Sequence, residues 1–453
     1  MKRLVTSQLS KLELRRELCR PEVDEVTVDE RIAQRNVQLF GAPLTPGEVV
    51  ERIVHDVAKD GDAALLHYTR LVDGVDLTPQ GLFVSEAELD QAQDEADPQV
   101  VEAICVAAEQ IRRFHEAQVR QSFFMQSSGG SILGQRILPL DRVGCYVPGG
   151  RAPLVSSALM SIIPAVVAGV KEIVAATPCG KDGRVNPHIL TACRVAGAHR
   201  ILKVGGAQAI AALAYGTETV PKVDKIVGPG NVFVTLAKKL VFGRVGIDSL
   251  AGPSEIMIVA DGSADPALVA ADMLSQAEHD PEAAAILATP DEEFLNAVLA
   301  QLEEQVSLLD REETARESLR RWGKVVLCRD LAEAVDLINL VAPEHVELLV
   351  AEPWRWLPQV RHGGAVFLGT HSTESIGDYV AGPNHILPTN GTARFASPLG
   401  VDDFVRRSSV IAFTQEGLAQ LGETAVRLAE VEGLGAHAEA VRKRLRQSKR
   451  EEL

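Results

Sequence analysis

Short, uniformly apolar runs alternate with Ala-rich helical runs from about residue 137, and this alternation limits the fold more than any other feature of the sequence. "RVGCYVP" leads into "LVSSALMSIIPAVVAGV", "EIVAATP" into "NPHILTACRVAG", "RILKVGG" into "AQAIAALAYG", and "DKIVGPG" into "NVFVTLAKKLVFG". A strand with no polar side must be buried on both faces. Helices that return between such strands through short Gly loops supply the cover, so the pattern predicts a parallel, doubly wound α/β sheet. The series then restarts. "EIMIVAD" leads into "PALVAADMLSQAEHD", "AAILATP" into "EEFLNAVLAQLEEQV" and "KVVLCRD" into "LAEAVDLINLVA", with "HVELLV" and "AVFLG" following. "EIVAATP" (172–178) and "AAILATP" (284–290) hold similar places in the two series, as an old duplication would leave them.

Upstream, residues 1 to about 135 read as mainly helical. "GEVVERIVHDVAKDGDAALLHYTRLVDG" and "DPQVVEAICVAAEQIRRFHEAQVRQSF" place apolar residues at helical spacing. His55, His67 and His115 lie on these helices with no partner motif nearby and are read as structural. Past about Pro383 the α/β rhythm fades. "EGLAQLGETAVRLAEVEGLGAHAEAVRKRLRQ" reads as two helices broken at Gly433 and Gly435, with "SKREEL" as a frayed end.

A chain of 453 residues has room for two to four domains of ordinary size. Its formal charge of -16 argues against nucleic acid and anionic membranes as partners, while leaving room for a local phosphate pocket. The six cysteines are scattered without a C-x-x-C pair, which fits reduced thiols in the cytoplasm. The N-terminus has no apolar signal core, and the run "ALMSIIPAVVAGV" is too short to span a bilayer. A cytoplasmic protein is expected.

The usual short fingerprints, G-x-G-x-x-G, the Walker loop, G-x-S-x-G and H-E-x-x-H, are absent. Gln276 and His279 sit three apart near the end of a helix, where they share a face. The pair suits either a metal or plain surface polarity. Glu344 and His345 follow Pro343 and open a strand. They suit acid–base work if both sit in the turn, and otherwise are two exposed loop residues. Asp378 and His385 occupy a Gly/Pro-rich loop after a strand, the kind of place where open α/β sheets bind ligands. Together with Gln276 and His279 they form a plausible N/O metal set. "VPGG" (147–150), "GGAQAI" (205–210) and "GPGN" (228–231) each end a strand and precede a helix. Such loops hold a phosphate or nucleotide, or merely turn tightly.

Taken in order, "GCYVPGGRAPL", "GGAQAIAALAYGT", "AGPSE", "SQAEHDP", "APEHVEL", "GDYVAGPNHILPT" and "EGLGAHAEAVRKR" resemble the histidinol dehydrogenase family, from about residue 140 to 445. The resemblance implies two similar Rossmann-like parallel-sheet domains with a helical N-terminal region and a C-terminal extension that reaches the partner subunit. The expected division is 1–136 helical, partly packed on the second α/β domain; 137–250 for the NAD side; 251–382 for zinc and catalysis; and 383–453 for the dimer-swapped extension. It further implies oxidation of L-histidinol through the aldehyde to L-histidine, the last steps of histidine biosynthesis, by a homodimer with shared active sites. Each subunit would use NAD and one zinc ion. Carried over by motif, the metal ligands are Gln276, His279, Asp378 and His437, and the catalytic pair is Glu344 and His345. Substrate contacts are the four ligands with Ser254, His345, His385 and Glu432, and NAD contacts are Tyr146, Gln208 and Asn231.

Three rival readings stand beside this one. A relative could oxidise another small alcohol, such as a sulfonated propanediol, with the same zinc and NAD. A non-catalytic nucleotide-binding protein could keep the fold. A thiol route could run through Cys145, next to Tyr146 in a Gly/Pro loop, although no His or Lys beside it lowers its pKa.

Overall fold

The computed structural model describes residues 1–20, 30–149 and 153–451. Gly150 of the "VPGG" loop and the last two residues of "SKREEL" lie outside this range. Two compact units emerge, one of Met1–Gln118 with Leu140–Phe404 and one of Val119–Pro139 with Val405–Leu453.

The first unit contains both expected sheets, and every strand pair in them is parallel. One sheet runs Arg200–Leu202, Glu172–Ala176, Arg142–Tyr146, Lys225–Val227, Gly246–Ile247. The other runs Lys2–Val5, Lys324–Leu327, Ala284–Thr289, Glu255–Ala260, His345–Leu349, Ala365–Leu368. Without its added edge strand Lys2–Val5, the second sheet has the same order as the first, 3-2-1-4-5 in chain order. The repeat visible in the sequence is therefore a repeat of topology.

Strand side chains alternate between faces, and each sheet separates two cores accordingly. Ile256, Ile258 and Leu287 pack on one side of the second sheet, and Met257, Val259 and Ile286 on the other. In the first sheet Tyr146, Val174 and Ile226 face one core, while Val143, Cys145 and Ile173 face the other. This explains why the strands lack a polar side.

One helix also builds the approach to the site. Pro164 lies inside the helix Val155–Ala168 and has no N–H to offer the Met160 carbonyl. Asn384 Nδ2 donates to that carbonyl instead, at 2.7 Å. The freed acceptor is thus satisfied, as a buried carbonyl must be, and the segment carrying His385 is tied to the helix.

The second unit holds an antiparallel sheet, Val405–Ala412 beside Ile132–Pro139 beside Phe123–Gln126, and a hairpin of helices Gln415–Val431 and Gly435–Glu451. Here the sequence reading needs a correction. The helix Pro98–Glu116 stops well before Phe123, and "SFFMQ" contributes a strand. Phe123 to Gln126 pair with Gln135 to Ile132, and Gly134 leaves room for the Phe124 ring. No helix among the described residues is long and apolar enough to cross a membrane.

Candidate active site

The strands Glu255–Ala260 and His345–Leu349 are neighbours at the point where the strand order of their sheet reverses. Open α/β sheets usually bind ligands beyond the carboxyl ends of the strands at such a point. Here the polar residues gather at the opposite edge, because Glu255 and His345 are the first residues of their strands and Glu344 precedes His345. The helix Leu331–Val341 closes at Ala342, a left-handed residue with φ 54°, and Pro343 then turns the chain into the strand. The left-handed region is strained for alanine, and such strain persists only where its surroundings enforce it.

Both residues of the pair are held by the backbone of one residue, Glu255. The Glu255 N–H donates to Glu344 Oε2 at 3.0 Å, and the Glu255 carbonyl faces His345 Nδ1 at 3.3 Å. Nδ1–H to the carbonyl leaves Nε2 as the free nitrogen. That Nε2 is buried without a hydrogen-bond partner, 3.6 Å from Asp378 Oδ1 and 4.0 Å from Glu374 Oε1. Burial pushes the Glu344 carboxyl up to about 8, against the pull of His345 and with Glu255 and Asp378 adding to the rise. Burial alone would lower the His345 imidazole, but Glu344, Asp378 and Glu374 outweigh it and hold it up to about 10.

Gln276 and His279 come from the helix Pro266–Ala277, which Asp265 caps by accepting from Ala267 N at 2.8 Å and which Pro266 opens. Gln276 is on its last turn. His279 lies one residue beyond the cap, in a turn where its N–H reaches Gln276 O at 3.3 Å, so the two do not share a helical face as their spacing suggested. The Gln276 side chain is fully buried, and neither its oxygen nor its nitrogen has a partner. An unpaired buried polar group costs on the order of 1–3 kcal/mol and calls for an explanation.

His279, Glu374 and Asp378 each offer a ligand atom within 4.8 Å of the others, so the residues present fit a metal ion. Glu374 also has a buried, unpartnered Oε1, while its Oε2 accepts from Ser275 Oγ at 2.8 Å. The sequence reading missed Glu374. It opens the short helix Glu374–Tyr379, four residues before Asp378, and that spacing on one helix was the available signal. The Glu374 N–H donates to Glu347 Oε1 at 2.8 Å, which fixes the helix against the strand. His385 is half-buried, with Nδ1 on the Asp378 carbonyl at 2.9 Å and Nε2 3.4 Å from Ser157 Oγ. Ser254 sits just ahead of Glu255, where its carbonyl accepts from Ala284 N at 3.0 Å. The first unit thus brings together His279, Glu344, His345, Asp378 and His385, with Gln276 three residues before His279 on the adjoining helix turn. Glu432 and His437 belong to the second unit, where they are exposed at the turn between its two helices.

Tyr146 is the last residue of the strand Arg142–Tyr146, Gln208 is on the helix Gly206–Tyr215, and Asn231 caps the helix after Lys225–Val227. Tyr146 Oη accepts from Gly206 N at 3.1 Å, and Gln208 Nε2 donates to Asp73 Oδ2 at 2.9 Å. Asn231 caps the helix Val232–Val241 by accepting from Phe233 N at 3.1 Å and Val234 N at 3.2 Å. Gly228 has φ 112°, and a Cβ there would stand 2.2 Å from the Tyr146 carbonyl, so the loop needs a glycine. The buried Lys238–Asp248 ion pair holds Gly228 at both ends, with Lys238 Nζ on its carbonyl at 2.9 Å and Asp248 Oδ2 on its N–H at 2.8 Å. Those bonds fix both backbone groups of Gly228.

His55 and His67 are exposed, and His115 is buried with Nδ1 on Ile111 O at 2.8 Å. Cys145 is not in a loop. It is mid-strand, fully buried, with its thiol on the Ser161 carbonyl at 3.4 Å. Burial pushes that thiol well above its usual range, the reverse of what a nucleophile needs. Cys145→Ala is therefore expected to keep catalytic turnover within about tenfold of the parent. A loss of about two orders of magnitude or more in steady-state rate, in folded protein, would restore the thiol route.

Twin parallel sheets of one topology, with a buried Glu–His pair beside N/O metal donors, define the class: an α/β protein with an acid–base pair at a candidate metal site. A family profile for histidinol dehydrogenase matches residues 45–445. Histidinol dehydrogenase of Syntrophotalea carbinolica is 52% identical over 421 residues, covering 90% of this chain and 97% of that protein. Histidinol dehydrogenase of Aquifex aeolicus is 51% identical over 395 residues, covering 87% of this chain and 91% of that one. The crystal structure of histidinol dehydrogenase from Elizabethkingia anophelis matches with a TM-score of 0.90 at 36% identity, covering 99% and 98% of the two chains. The chain belongs to the histidinol dehydrogenase family.

Proposed function

We propose that the protein oxidises L-histidinol to L-histidine through the aldehyde, in the cytoplasm, as the last steps of histidine biosynthesis. The observation that carries this reading is the buried, unpartnered His345 Nε2 of the Glu344–His345 pair, 3.6 Å from Asp378 Oδ1 in the His279, Glu374 and Asp378 donor group. Gln276, His279 and Asp378 would hold zinc with His437 of a second copy, and zinc would serve as a template for the imidazole and amine of the substrate. NAD, at Tyr146, Gln208 and Asn231, would take up the hydrides. Residues 137–250 would form the NAD side, 251–382 the catalytic side, and 383–453 an extension into the partner.

His345 Nε2 takes the proton of the alcohol while its Nδ1 stays on the Glu255 carbonyl, so ring and tautomer are fixed before the reaction. A cation among the acidic donors would cancel much of the field that now raises His345, and so bring Nε2 to a value where it accepts a proton near neutrality. Glu344 takes a proton from the water that attacks the aldehyde carbon. A carboxyl raised to about 8 is a stronger base than an ordinary carboxylate once ionised, so the aldehyde step should quicken as the pH rises towards that value. Ser254, His385 and Glu432 line the substrate. Across both steps one water is consumed, two hydrides leave the carbon and three protons are released.

The test is stoichiometry. Zinc-loaded protein given histidinol and NAD should form two NADH per histidine. One NADH per substrate with aldehyde accumulating, or preference for another alcohol, would overturn the reading. Glu344→Gln should slow aldehyde oxidation at least tenfold more than alcohol oxidation, a difference of about 1.4 kcal/mol between the two barriers. Supplying histidinaldehyde directly separates the steps.

A further inference from the structure

We infer that Arg20, in the N-terminal segment, is a positioning residue for Glu344, acting through the buried carboxylate of Glu255 as the permanent cation at the edge of the catalytic sheet. The inference rests on the assignment of Glu344 as the base of the aldehyde step.

Three parallel strands fix the geometry. Ala284 pairs with Glu255, and His345 pairs with Ile256. Glu282, two residues before Ala284, thus precedes a strand beside the one that Glu255 begins, and Glu344 lies opposite Glu255 on the other side. Neighbouring strands are about 4.8 Å apart, so these residues form a short row along one sheet edge. Arg20 is anchored at one end of it. Its guanidinium donates to the Glu282 carbonyl and stacks 4.5 Å from the centre of the Trp322 ring. Trp322 Nε1 in turn donates to Glu282 Oε2 at 2.9 Å. Arg20 Nε is buried and has no hydrogen-bond partner, so the group is held by its surroundings and not by a saturated ion pair.

Glu255 needs a cation. It is 3% exposed, and its carboxylate accepts from Asn390 N at a left-handed residue with φ 52°. Burial raises its carboxyl, and the cations that oppose the rise are Arg20 and His345. Glu255 and Glu344 otherwise stand as two buried carboxyl groups on neighbouring chain segments, with only the Glu255 backbone N–H on Glu344 Oε2, an arrangement that expels a charge or shifts a side chain. Either change would move the base. The charge of Arg20 acts on Glu255, Glu282 and Glu344 together, and an arginine keeps that charge at every working pH.

The variants are Arg20→Met, Arg20→Lys, Glu255→Gln and the double Arg20→Met/Glu255→Gln, all as zinc-loaded full-length protein. Arg20→Met should lower kcat for histidinaldehyde at least about tenfold, with zinc content and KM for histidinol nearly unchanged. Arg20→Lys keeps the charge and should lose less. Removing both charges should recover rate, so the double variant should outpace Arg20→Met. Multiplying losses in the double variant, or equal losses in Arg20→Lys and Arg20→Met, would overturn the inference, as would a defect confined to zinc content. Thermal unfolding of the same four proteins reads the coupling independently of turnover. Non-additive melting temperatures support the Arg20–Glu255 link even if Arg20→Met alone folds poorly, and additive ones refute it. If the parent protein oxidises no histidinaldehyde, the functional reading fails, while the unfolding cycle still decides whether Arg20 and Glu255 are coupled.

Discussion

Exhaustive chelation is expected to bring NADH formation to background, and zinc to restore it in full. The donors explain the size of the effect. Gln276 is fully buried with both amide atoms unpaired, and His279, Glu374 and Asp378 converge within 4.8 Å. Without a cation, Glu374 and Asp378 face each other and His345 at close range, and His345 is held protonated. A protonated imidazole cannot take a proton from the alcohol, so metal-free protein should lose its base as well as its template. Binding to the folded state alone should also raise the melting temperature, with about 4 kcal/mol of stabilisation at a thousandfold excess of zinc over its Kd. His279→Ala and Glu374→Ala should both reduce that rise, which separates a metal effect from general inactivation by the chelator. Undiminished turnover in protein shown to be zinc-free would reject the metal site.

Much of the fold was legible because parallel strands buried on both faces have a composition of their own. "EIMIVA" and "AAILAT" are buried at every position, and no surface strand or amphipathic helix reads that way. Lys2–Val5 was not legible. It is a four-residue edge strand whose first two residues are exposed, too short and too charged to show a period. Phe123 was absorbed into the preceding helix because apolar residues at a helix end look alike in either state, and pairing with Ile132–Pro139 decides the matter.

The site was harder to read than the fold. Gln276, His279, Glu344 and Asp378 stood out only when the ordered motifs were taken together, since each pair alone also suits a solvated turn. Glu374 was passed over although it stands four residues before Asp378 on one helix. Glu255 was hidden by position, as a single acid at the head of an apolar strand reads as a loop residue until register sets it beside Glu344. Arg20 was hidden by distance, because a residue in the N-terminal segment reaches Glu282 and Trp322 only through the fold. Long-range electrostatics of this kind has no sequence period to betray it.

Mixing two inactive variants is expected to recover about one quarter of the parent activity. His345 lies at the catalytic edge of the first unit, and His437 is exposed in the second, on the helix Gly435–Glu451. In the proposed dimer, each metal takes Gln276, His279 and Asp378 from one copy and His437 from the other. His345→Ala and His437→Ala would each then disable both sites of a pure dimer. A mixed dimer concentrates both defects in one site and leaves the other intact. Random reassembly makes about half of the dimers mixed, each with one working site of two, hence the quarter. The experiment is joint unfolding and refolding of the two variants in equal amounts, with subunit exchange followed by mass and each variant refolded alone as the control. If His437 serves its own chain, every site retains one defect, and no activity returns however complete the exchange. That result would reject the shared site and leave the zinc assignment standing, because the same four ligands would then close the site within one chain.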